Sequence, residues 1–443
     1  MIQTVENIGE KLVSMLTYDA SQPLIFSSGL FLFLFAGFLF FYGFTRRAPM
    51  ARIVYVILFS LYFYYKSSGI YFLLLVFASV SDYWIAHAIY KVRTQRAKYW
   101  LVGLSVLVNL GMLGYFKYTN FLIEIANNLF GQGFLNFQNI FLPVGISFFV
   151  FQSMSYTIDI CRGQLKPLNN WADYLFYLSF FPQLVAGPIV RAKDFIPQIR
   201  QNPLRVTREM FGMGVFLILI GLFKKAVISD YISLNFVDRI FDEPLLYSGF
   251  ECLMGIYGYA LQIYCDFSGY SDMAIGIALL LGFRFPKNFD APYKSATITE
   301  FWRRWHISLS TWLRDYLYIS LGGNRKGRIR TYFNLLVTML LGGLWHGAAV
   351  RFILWGALHG IALALHKLWL SVVPGSKATG AEMRWFWRIP GIFFTFNLVC
   401  FGWLMFRAES MKTVQLMLHQ IFTNFNPSVI PQVLEGYAGI FLL

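Results

Sequence analysis

The sequence predicts an all-α, polytopic integral membrane protein. Of its 443 residues, 57% are apolar and only 13% are charged, which is about half the charge of an ordinary soluble domain. So few charges cannot cover the surface of a water-soluble globule of this size. A soluble enzyme, a disordered chain and a disulfide-stabilised secreted domain are therefore excluded. Aromatic residues make up 19% of the chain, as expected where rings anchor helices at both membrane interfaces.

Apolar runs that suit membrane helices extend over most of the chain. A helix crosses the bilayer core with about 20 apolar residues. The runs are 24–44, 53–65, 70–90, 100–115, 141–158, 175–187, 210–228, 250–265, 271–283, 333–345, 352–369 and 386–406. Several are short, as is typical of tilted, re-entrant or protein-buried helices. We predict about ten or eleven crossings, with amphipathic and re-entrant helices in addition.

The division into domains is predicted to be simple. No internal repeat or low-complexity linker interrupts the chain, so residues 1–443 form one integral membrane domain. Residues 1–23 lack the charged start, apolar centre and small-residue cleavage site of a signal peptide. We expect them to form a short amphipathic segment on the extracytoplasmic surface. The Gly/Ser/Ala-rich stretch 374–382 is expected to be a loop.

The net charge of +15 indicates membrane orientation rather than nucleic-acid binding, because the basic residues lie in short loops between apolar runs. Arg46, Arg47 and Arg52 occupy the loop 45–52, and the loop 91–98 is also basic, whereas the loop between them carries only Lys66. The two basic loops should therefore face the cytoplasm, which places the N-terminus on the outer side.

Residues 297–320 are predicted to form one amphipathic helix with Thr299 as a plausible N-cap. Its aromatic and apolar residues recur at gaps of 3, 4, 3 and 4, which is a helical stripe; they are Trp302, Trp305, Leu309, Trp312 and Tyr316. Arg303, Arg304 and Arg314 fall on the opposite side, and His306 falls on the boundary. The pattern alone favours an interfacial anchor whose histidine faces the lipid headgroups.

A second histidine, His346, ends an apolar run among small residues, in LGGLWHGAAV. An imidazole at membrane depth is costly unless it is paired or faces a polar cavity. Its ordinary pKa near 6.5 suits general-base chemistry at neutral pH. An interhelical hydrogen bond at a glycine-packed interface explains the same pattern equally well. His359 and His366 share one helix face, and for both an interhelical hydrogen bond is the simpler interpretation.

Two carboxylates, Asp266 and Asp272, flank FSGYS between apolar runs. If Gly269 breaks the helix there, the acids would cap it or line a cavity; pairing with an arginine in the bundle is the simpler alternative. Gln152 lies in another apolar stretch that is interrupted by polar residues. The four cysteines form no C-x-x-C pair, and no zinc, P-loop, dinucleotide-binding or serine-elbow motif is present.

Several of these segments together resemble one family. FWRRWHISLSTWLRDYL (301–317), YISLGGN (318–324) and GGLWHG (342–347) are similar to segments of the membrane-bound O-acyltransferases, in particular the bacterial polysaccharide-modifying branch of the alginate O-acetyltransferases. DFSGYSD (266–272) and FPKNFDAPY (285–293) match that branch in the same order. The motif-bearing core covers residues 141–406. The resemblance implies a helical bundle in the bacterial inner membrane.

The resemblance also implies roles for individual residues. The histidine of W-H-G, here His346, is the expected catalytic residue, and His306 is the second family histidine. We expect general-base catalysis from His346, while His306 holds the donor, orients His346 or stabilises the developing oxyanion. A substrate- or donor-binding role is expected for Arg303, Arg304, Arg314, Asp266, Asp272, Trp345, Asn324 and Gln152. The glycines beside His346 are expected to leave a narrow passage for an acetyl group.

The function implied is transfer of an acyl group, expected to be acetyl from cytoplasmic acetyl-CoA, to hydroxyls of an exported or cell-wall polysaccharide. No bound cofactor or metal is expected. Transfer is direct or passes through an extracytoplasmic acyltransferase partner of the SGNH type. Two alternatives remain open: a teichoic acid D-alanyl transferase that uses a carrier-protein thioester, and a lipid-linked glycan transporter in which His346 is dispensable.

Overall fold

The computed structural model describes residues 10–11, 13–45, 47–201, 204–373 and 384–441, with side chains to residue 435. Within these ranges the regular secondary structure is helical and contains no strand, as the sequence predicts. Arg46 and the predicted loop 374–382 lie outside the described residues, as does most of the segment that precedes residue 13. Residues 13–16 form a helical turn with exposed side chains; its place on the membrane surface stays a prediction.

By packing, the chain divides into two compact units. Unit 1 comprises Met1–Ile218 and Met273–Pro286, and unit 2 comprises Leu219–Asp272 and Lys287–Leu443. The prediction of one membrane domain over the whole chain stays a prediction. Both candidate histidines belong to unit 2.

Unit 1 is built from the first helices of the chain. They are α1 Gly29–Tyr42, α2 Pro49–Ser68, α3 Phe72–Lys91, α4 Gln95–Leu113, α5 Thr119–Phe130, α6 Ile146–Cys161, α7 Trp171–Ser179, α8 Phe181–Leu184, α9 Ala192–Ile199 and most of α10 Arg208–Leu222. The predicted run 175–187 is not one helix, because α7 ends at Ser179 and the short α8 begins at Phe181, with Pro182 in its first turn.

Unit 2 holds the later helices. They are α11 Asp230–Ile232, α12 Asp238–Asp242, most of α13 Gly249–Leu280, α14 Ile298–Arg304, α15 Ile307–Trp312, α16 Arg328–His346, α17 Val350–Val372, α18 Trp385–Arg407, α19 Met411–Thr423 and α20 Ile430–Phe441. Wider π-helical turns replace α-helix at Phe223–Ser229, Ser233–Val237 and Leu313–Tyr318.

Five helical stretches of the described residues are long and apolar enough to cross a bilayer. They are Pro49–Lys91, Gln95–Phe130, Arg208–Asp242, Val350–Val372 and Trp385–Arg407, and Gly29–Thr45 is a shorter apolar helix. The protein is therefore a multi-pass membrane protein. The larger number of crossings, about ten or eleven, stays a prediction.

One predicted break is wrong. The runs 250–265 and 271–283 are parts of the single helix α13, which continues through Gly269. This glycine serves close packing instead, because a Cβ on it would lie 2.7 Å from the carbonyl oxygen of Gly221. A small residue that lets two membrane helices approach is a normal use of glycine inside a helix.

A buried carboxylate joins four helices of unit 1. Asp82 of α3 is fully buried and accepts hydrogen bonds from Ser105 Oγ at 2.6 Å, Asn109 Nδ2 at 2.7 Å and Ser153 Oγ. Ser153 also shares a hydrogen bond of 3.1 Å with the Tyr174 hydroxyl on α7. Buried polar groups stabilise a fold only when each has a partner. This network therefore specifies how α3, α4, α6 and α7 pack.

Replacing the carboxylate should destabilise unit 1. Asp82→Ala leaves three buried donors without their acceptor, at a cost of about 3 kcal/mol or more. We expect the melting temperature of the detergent-purified protein, followed by tryptophan fluorescence, to fall by about 6 °C or more. The control is Asp242→Ala, at an exposed aspartate. Its melting temperature should stay within about 1 °C of that of the wild type. Equal melting temperatures for the two variants would contradict a structural role for the network.

Candidate active site

The aromatic stripe predicted for residues 297–320 is buried in unit 2. Each of its members is at most 9% exposed, and these residues are Trp302, Trp305, Leu309, Trp312 and Tyr316. Arg303 and Arg314 are exposed on the other side. The helical spacing therefore gave the correct orientation of both faces.

The prediction of one continuous helix is wrong at His306. Helix α14 ends at Arg304, α15 begins at Ile307, and His306 between them has φ 42° and ψ 56°. This left-handed conformation is strained for a residue other than glycine, and such strain concentrates at functional sites. Thr299 is not the N-cap; the Thr297 hydroxyl accepts the cap hydrogen bond from Glu300 N.

Asn288 holds the turn at His306. Its carbonyl oxygen accepts a hydrogen bond from Ile307 N at 2.9 Å, and its side-chain oxygen accepts one from Ser308 Oγ at 2.9 Å. The Asn288 side-chain amide donates in turn to Ser271 Oγ at 3.1 Å. The turn thus depends on a residue 18 positions earlier in the chain, which helical periodicity cannot reveal.

The imidazole of His306 is buried, which contradicts the interfacial-anchor interpretation. Its side chain is 1% exposed, and its ring lies 4.6 Å from that of Phe267. Within the described part of the chain, neither ring nitrogen has a hydrogen-bond partner. Burial lowers the pKa of His306 well below its ordinary value, and repulsion from His346 when that imidazole is protonated lowers it further. The two imidazoles are therefore close enough to interact electrostatically, and His306 is neutral at physiological pH.

His346 is the last residue of α16, and its ring lies against aromatic neighbours. The ring centroids of Trp345, Trp355 and Phe406 lie 4.9 Å, 5.2 Å and 5.2 Å from it. Trp345 also lies 6.3 Å from His306, so this indole lies near both histidines. His346 itself is partly exposed, as a residue that exchanges protons with a substrate must be.

The glycines beside His346 pack against protein atoms in the direction of a Cβ, and the passage expected beside them stays a prediction. A Cβ on Gly343 would lie 2.2 Å from the Phe352 carbonyl oxygen, and a Cβ on Gly347 would lie 1.9 Å from the Phe352 ring. A Cβ on Gly342 would lie 3.2 Å from Leu313 Cδ1. Protein atoms thus occupy the Cβ position of each glycine, and at Gly343 the backbones of α16 and α17 are in close contact.

The basic residues near the stripe are already partly paired. Arg304 forms an ion pair with Glu300 at 2.8 Å, and Arg314 forms one with Asp315 at 2.6 Å. Arg303 and Arg314 remain exposed. These two arginines are available to a charged ligand at the surface.

The acids of α13 pair with lysines rather than with an arginine. Lys224 Nζ lies 2.7 Å from Asp272 Oδ2, and Lys225 Nζ lies 2.8 Å from Asp266 Oδ1 and 2.7 Å from Asp230 Oδ1. These pairs tie α13 to the π-helical turn Phe223–Ser229. The two aspartates are thus ion-paired along a helix and do not form a carboxylate dyad.

Two further residues with predicted binding roles differ in exposure. Asn324 is exposed in the turn between Tyr318 and α16. Gln152 belongs to unit 1, where its amide is buried without a hydrogen-bond partner. Their binding roles stay predictions.

The two histidines of α17 differ in a way that their spacing does not indicate. His366 Nδ1 shares a hydrogen bond of 2.7 Å with the Thr299 hydroxyl, which confirms the predicted interhelical bond. For His359 that prediction is wrong, because both ring nitrogens are buried without a partner. The prediction for His359 rested on its separation from His366 by seven residues. That spacing indicates a shared helix face, but it does not show whether each histidine has a hydrogen-bond partner.

A helical multi-pass membrane protein with two histidines that share a tryptophan neighbour suits a membrane enzyme. The family model described as MBOAT, membrane-bound O-acyltransferase family, matches residues 164–410, which include both histidines. The chain belongs to this family and is an O-acyltransferase.

Named relatives agree with this assignment. The chain is 44% identical to a probable alginate O-acetylase, AlgI, of Azotobacter vinelandii, over 90% of this chain and 78% of the relative. It is 37% identical to the peptidoglycan O-acetyltransferase of Helicobacter pylori, over 89% and 79% of the two chains. It is 31% identical to the teichoic acid D-alanyltransferase of Streptococcus thermophilus, over 71% and 77%.

Adding one methyl group at Gly343 should separate the helices that hold the site. In Gly343→Ala the new Cβ meets backbone atoms of α17, which cannot rotate away, so we expect a loss of about 2–3 kcal/mol. Gly103→Ala is the matched control, because nothing lies within 4 Å of its Cβ position. Thermal unfolding of the purified proteins checks this. Equal stability of both variants would contradict the close contact of α16 with α17.

Proposed function

We propose that this chain is a polysaccharide O-acetyltransferase of the bacterial cell envelope, which takes acetyl groups from cytoplasmic acetyl-CoA. The observation that carries the proposal is the pair His306 and His346, which interact electrostatically and share Trp345 as a neighbour. The alginate and peptidoglycan O-acetyltransferases among the relatives support acetyl as the group and a glycan hydroxyl as the acceptor.

The chemical step is the exchange of a thioester for an ester. His346 takes the proton of the acceptor hydroxyl while that oxygen attacks the thioester carbon. The carbonyl electron pair moves to oxygen and returns as the carbon–sulfur bond breaks. The imidazolium then gives its proton to the leaving sulfur. The products are the acetyl ester and free CoA thiol, and His346 is restored.

His306 assists this step as a neutral imidazole. A neutral ring offers one N–H donor, and both nitrogens of His306 lack a partner within the described residues. We propose that His306 donates a hydrogen bond that either orients His346 or stabilises the oxyanion. Both roles need a donor that is fixed in place before the reaction. The left-handed backbone at His306 fixes the ring direction.

Acetyl-CoA carries phosphates, and two exposed arginines, one in α14 and one in the π-helical turn Leu313–Tyr318, suit them. Arg303 and Arg314 are both exposed, and guanidinium groups bind phosphate in a bidentate manner. We assign to them the CoA phosphates on the cytoplasmic side. The donor is a substrate, and no bound cofactor or metal enters the proposal.

The proposed setting is the inner membrane, with the N-terminus outside and the basic loops in the cytoplasm. The acceptor is then exported, so the acetyl group crosses the bilayer. It passes either directly to the glycan or to an extracytoplasmic SGNH-type transferase.

D-alanyl transfer from a carrier protein is the second candidate, favoured by the Streptococcus thermophilus relative. Radiolabelled acetyl-CoA and a D-alanyl carrier protein, supplied separately to purified protein, distinguish the two donors. The family assignment speaks against the lipid-linked glycan transporter.

His346→Ala should abolish acetylation, because loss of a general base slows the step by about 10²–10⁴-fold. The test expresses the variant in an alginate-producing bacterium that lacks its own O-acetylase and measures alginate acetyl content by NMR. His419→Ala, at an exposed histidine of α19, is the matched control and should acetylate normally. Wild-type acetyl content in a well-expressed His346→Ala strain would refute the catalytic role.

His306→Asn separates chemistry from backbone strain. Asparagine tolerates the left-handed conformation better than most residues, so only the loss of ring packing should lower the stability, by about 1–3 kcal/mol, and the protein should still fold. Activity should nonetheless fall by about 10²-fold or more, because the ring is missing. Parallel measurement of melting temperature and acetyl transfer checks this. An active His306→Asn protein would leave the residue a purely structural role.

A further inference from the structure

Three rings beside the histidine pair form a cluster in unit 2. The ring centroids of Trp302 and Trp355 are 5.7 Å apart, those of Trp302 and His359 are 5.2 Å apart, and those of Trp355 and His359 are 4.7 Å apart. Trp355 also contacts His346 at 5.2 Å. The cluster thus directly adjoins the proposed catalytic base.

Every ring nitrogen of this cluster is buried and has no hydrogen-bond partner among the residues that the structure describes. They are Trp302 Nε1, Trp355 Nε1, His359 Nδ1 and His359 Nε2. The two indoles supply donors only, and a neutral imidazole supplies one donor and one acceptor. Donors therefore outnumber acceptors, and a buried donor without a partner costs free energy. Such a set matches a ligand atom that accepts hydrogen bonds.

Two of these nitrogens adjoin the same glycine. A Cβ on Gly402 of α18 would lie 2.9 Å from His359 Nε2 and 3.4 Å from Trp355 Nε1. Gly402 therefore lies against both nitrogens, and any side chain here would crowd them. His359 Nε2 and Trp355 Nε1 are thus neighbours that one oxygen with two lone pairs could bridge.

We propose that Trp355 and His359 together bind the carbonyl oxygen of the acyl thioester. The inference rests on the proposed function, because it takes the donor to be a CoA thioester. A carbonyl oxygen accepts two hydrogen bonds and donates none, as this site requires. It also gains negative charge when the hydroxyl attacks, so the same N–H groups stabilise the transition state more than the ground state.

The test compares two ligands that differ at the carbonyl. Acetyl-CoA has the oxygen, and S-ethyl-CoA, its thioether analogue, lacks it. Equilibrium binding to the purified full-length protein, without acceptor, gives the affinity ratio. We expect the wild type to bind acetyl-CoA about tenfold more tightly than S-ethyl-CoA. A ratio near one in the wild type would overturn the proposal without any variant.

Two variants locate the preference. His359→Phe and Trp355→Phe each keep an aromatic ring and remove the nitrogen, so each should lower the ratio towards one by weakening acetyl-CoA binding alone. His419→Phe is the control and should keep the ratio. A tenfold preference that survives in a folded variant at either position would overturn the assignment of that residue. Failure of the wild type to bind either CoA compound would instead remove the proposed donor, and the carbonyl site with it.

Discussion

The close contact between α16 and α17 determines the geometry of the site. Gly343 on one helix and Gly356 on the other each face a carbonyl oxygen across the contact, at 2.2 Å and 2.4 Å from where a Cβ would stand. Apolar surface gives membrane helices little reason to associate, so backbone packing of this kind carries the contact. It places His346 at the end of one helix beside Trp355 on the other.

A second constraint acts on His306. Its left-handed backbone costs about 1–2 kcal/mol, and the hydrogen bonds of Asn288 to the following turn offset that cost. The break gives His306 a direction that a continuous helix would not give it. The strained backbone at His306 is thus stabilised by hydrogen bonds from Asn288 in another segment. Backbone strain that is held in this way is typical of active sites.

Local chemistry made part of this structure predictable. Hydropathy and low charge correctly predicted a helical membrane protein. The helical spacing of the aromatic residues around Trp302 correctly predicted which side chains are buried and which are exposed. The motifs led to His306 and His346. Features that depend on contacts between distant segments could not be predicted from the sequence. One of them is the turn at His306, which Asn288 stabilises. The close packing at Gly343 was also not predictable, because a small residue beside open space and one against a backbone look alike in sequence.

Three features of unit 2 together suit acyl transfer. They are the partly exposed imidazole of His346, the neutral buried imidazole of His306, and the buried N–H groups around His359, which have no partner among the described residues. Each supplies one requirement of acyl transfer, namely a base, a fixed donor and a place for the carbonyl oxygen. The central claim is that the imidazole of His346 takes the hydroxyl proton.

Chemical rescue tests that claim most directly. Purified His346→Gly protein in liposomes receives radiolabelled acetyl-CoA and alginate, with increasing imidazole in the buffer. The account predicts negligible transfer without imidazole, and transfer that rises with the concentration of its neutral form. Transfer at the wild-type rate without imidazole would contradict it.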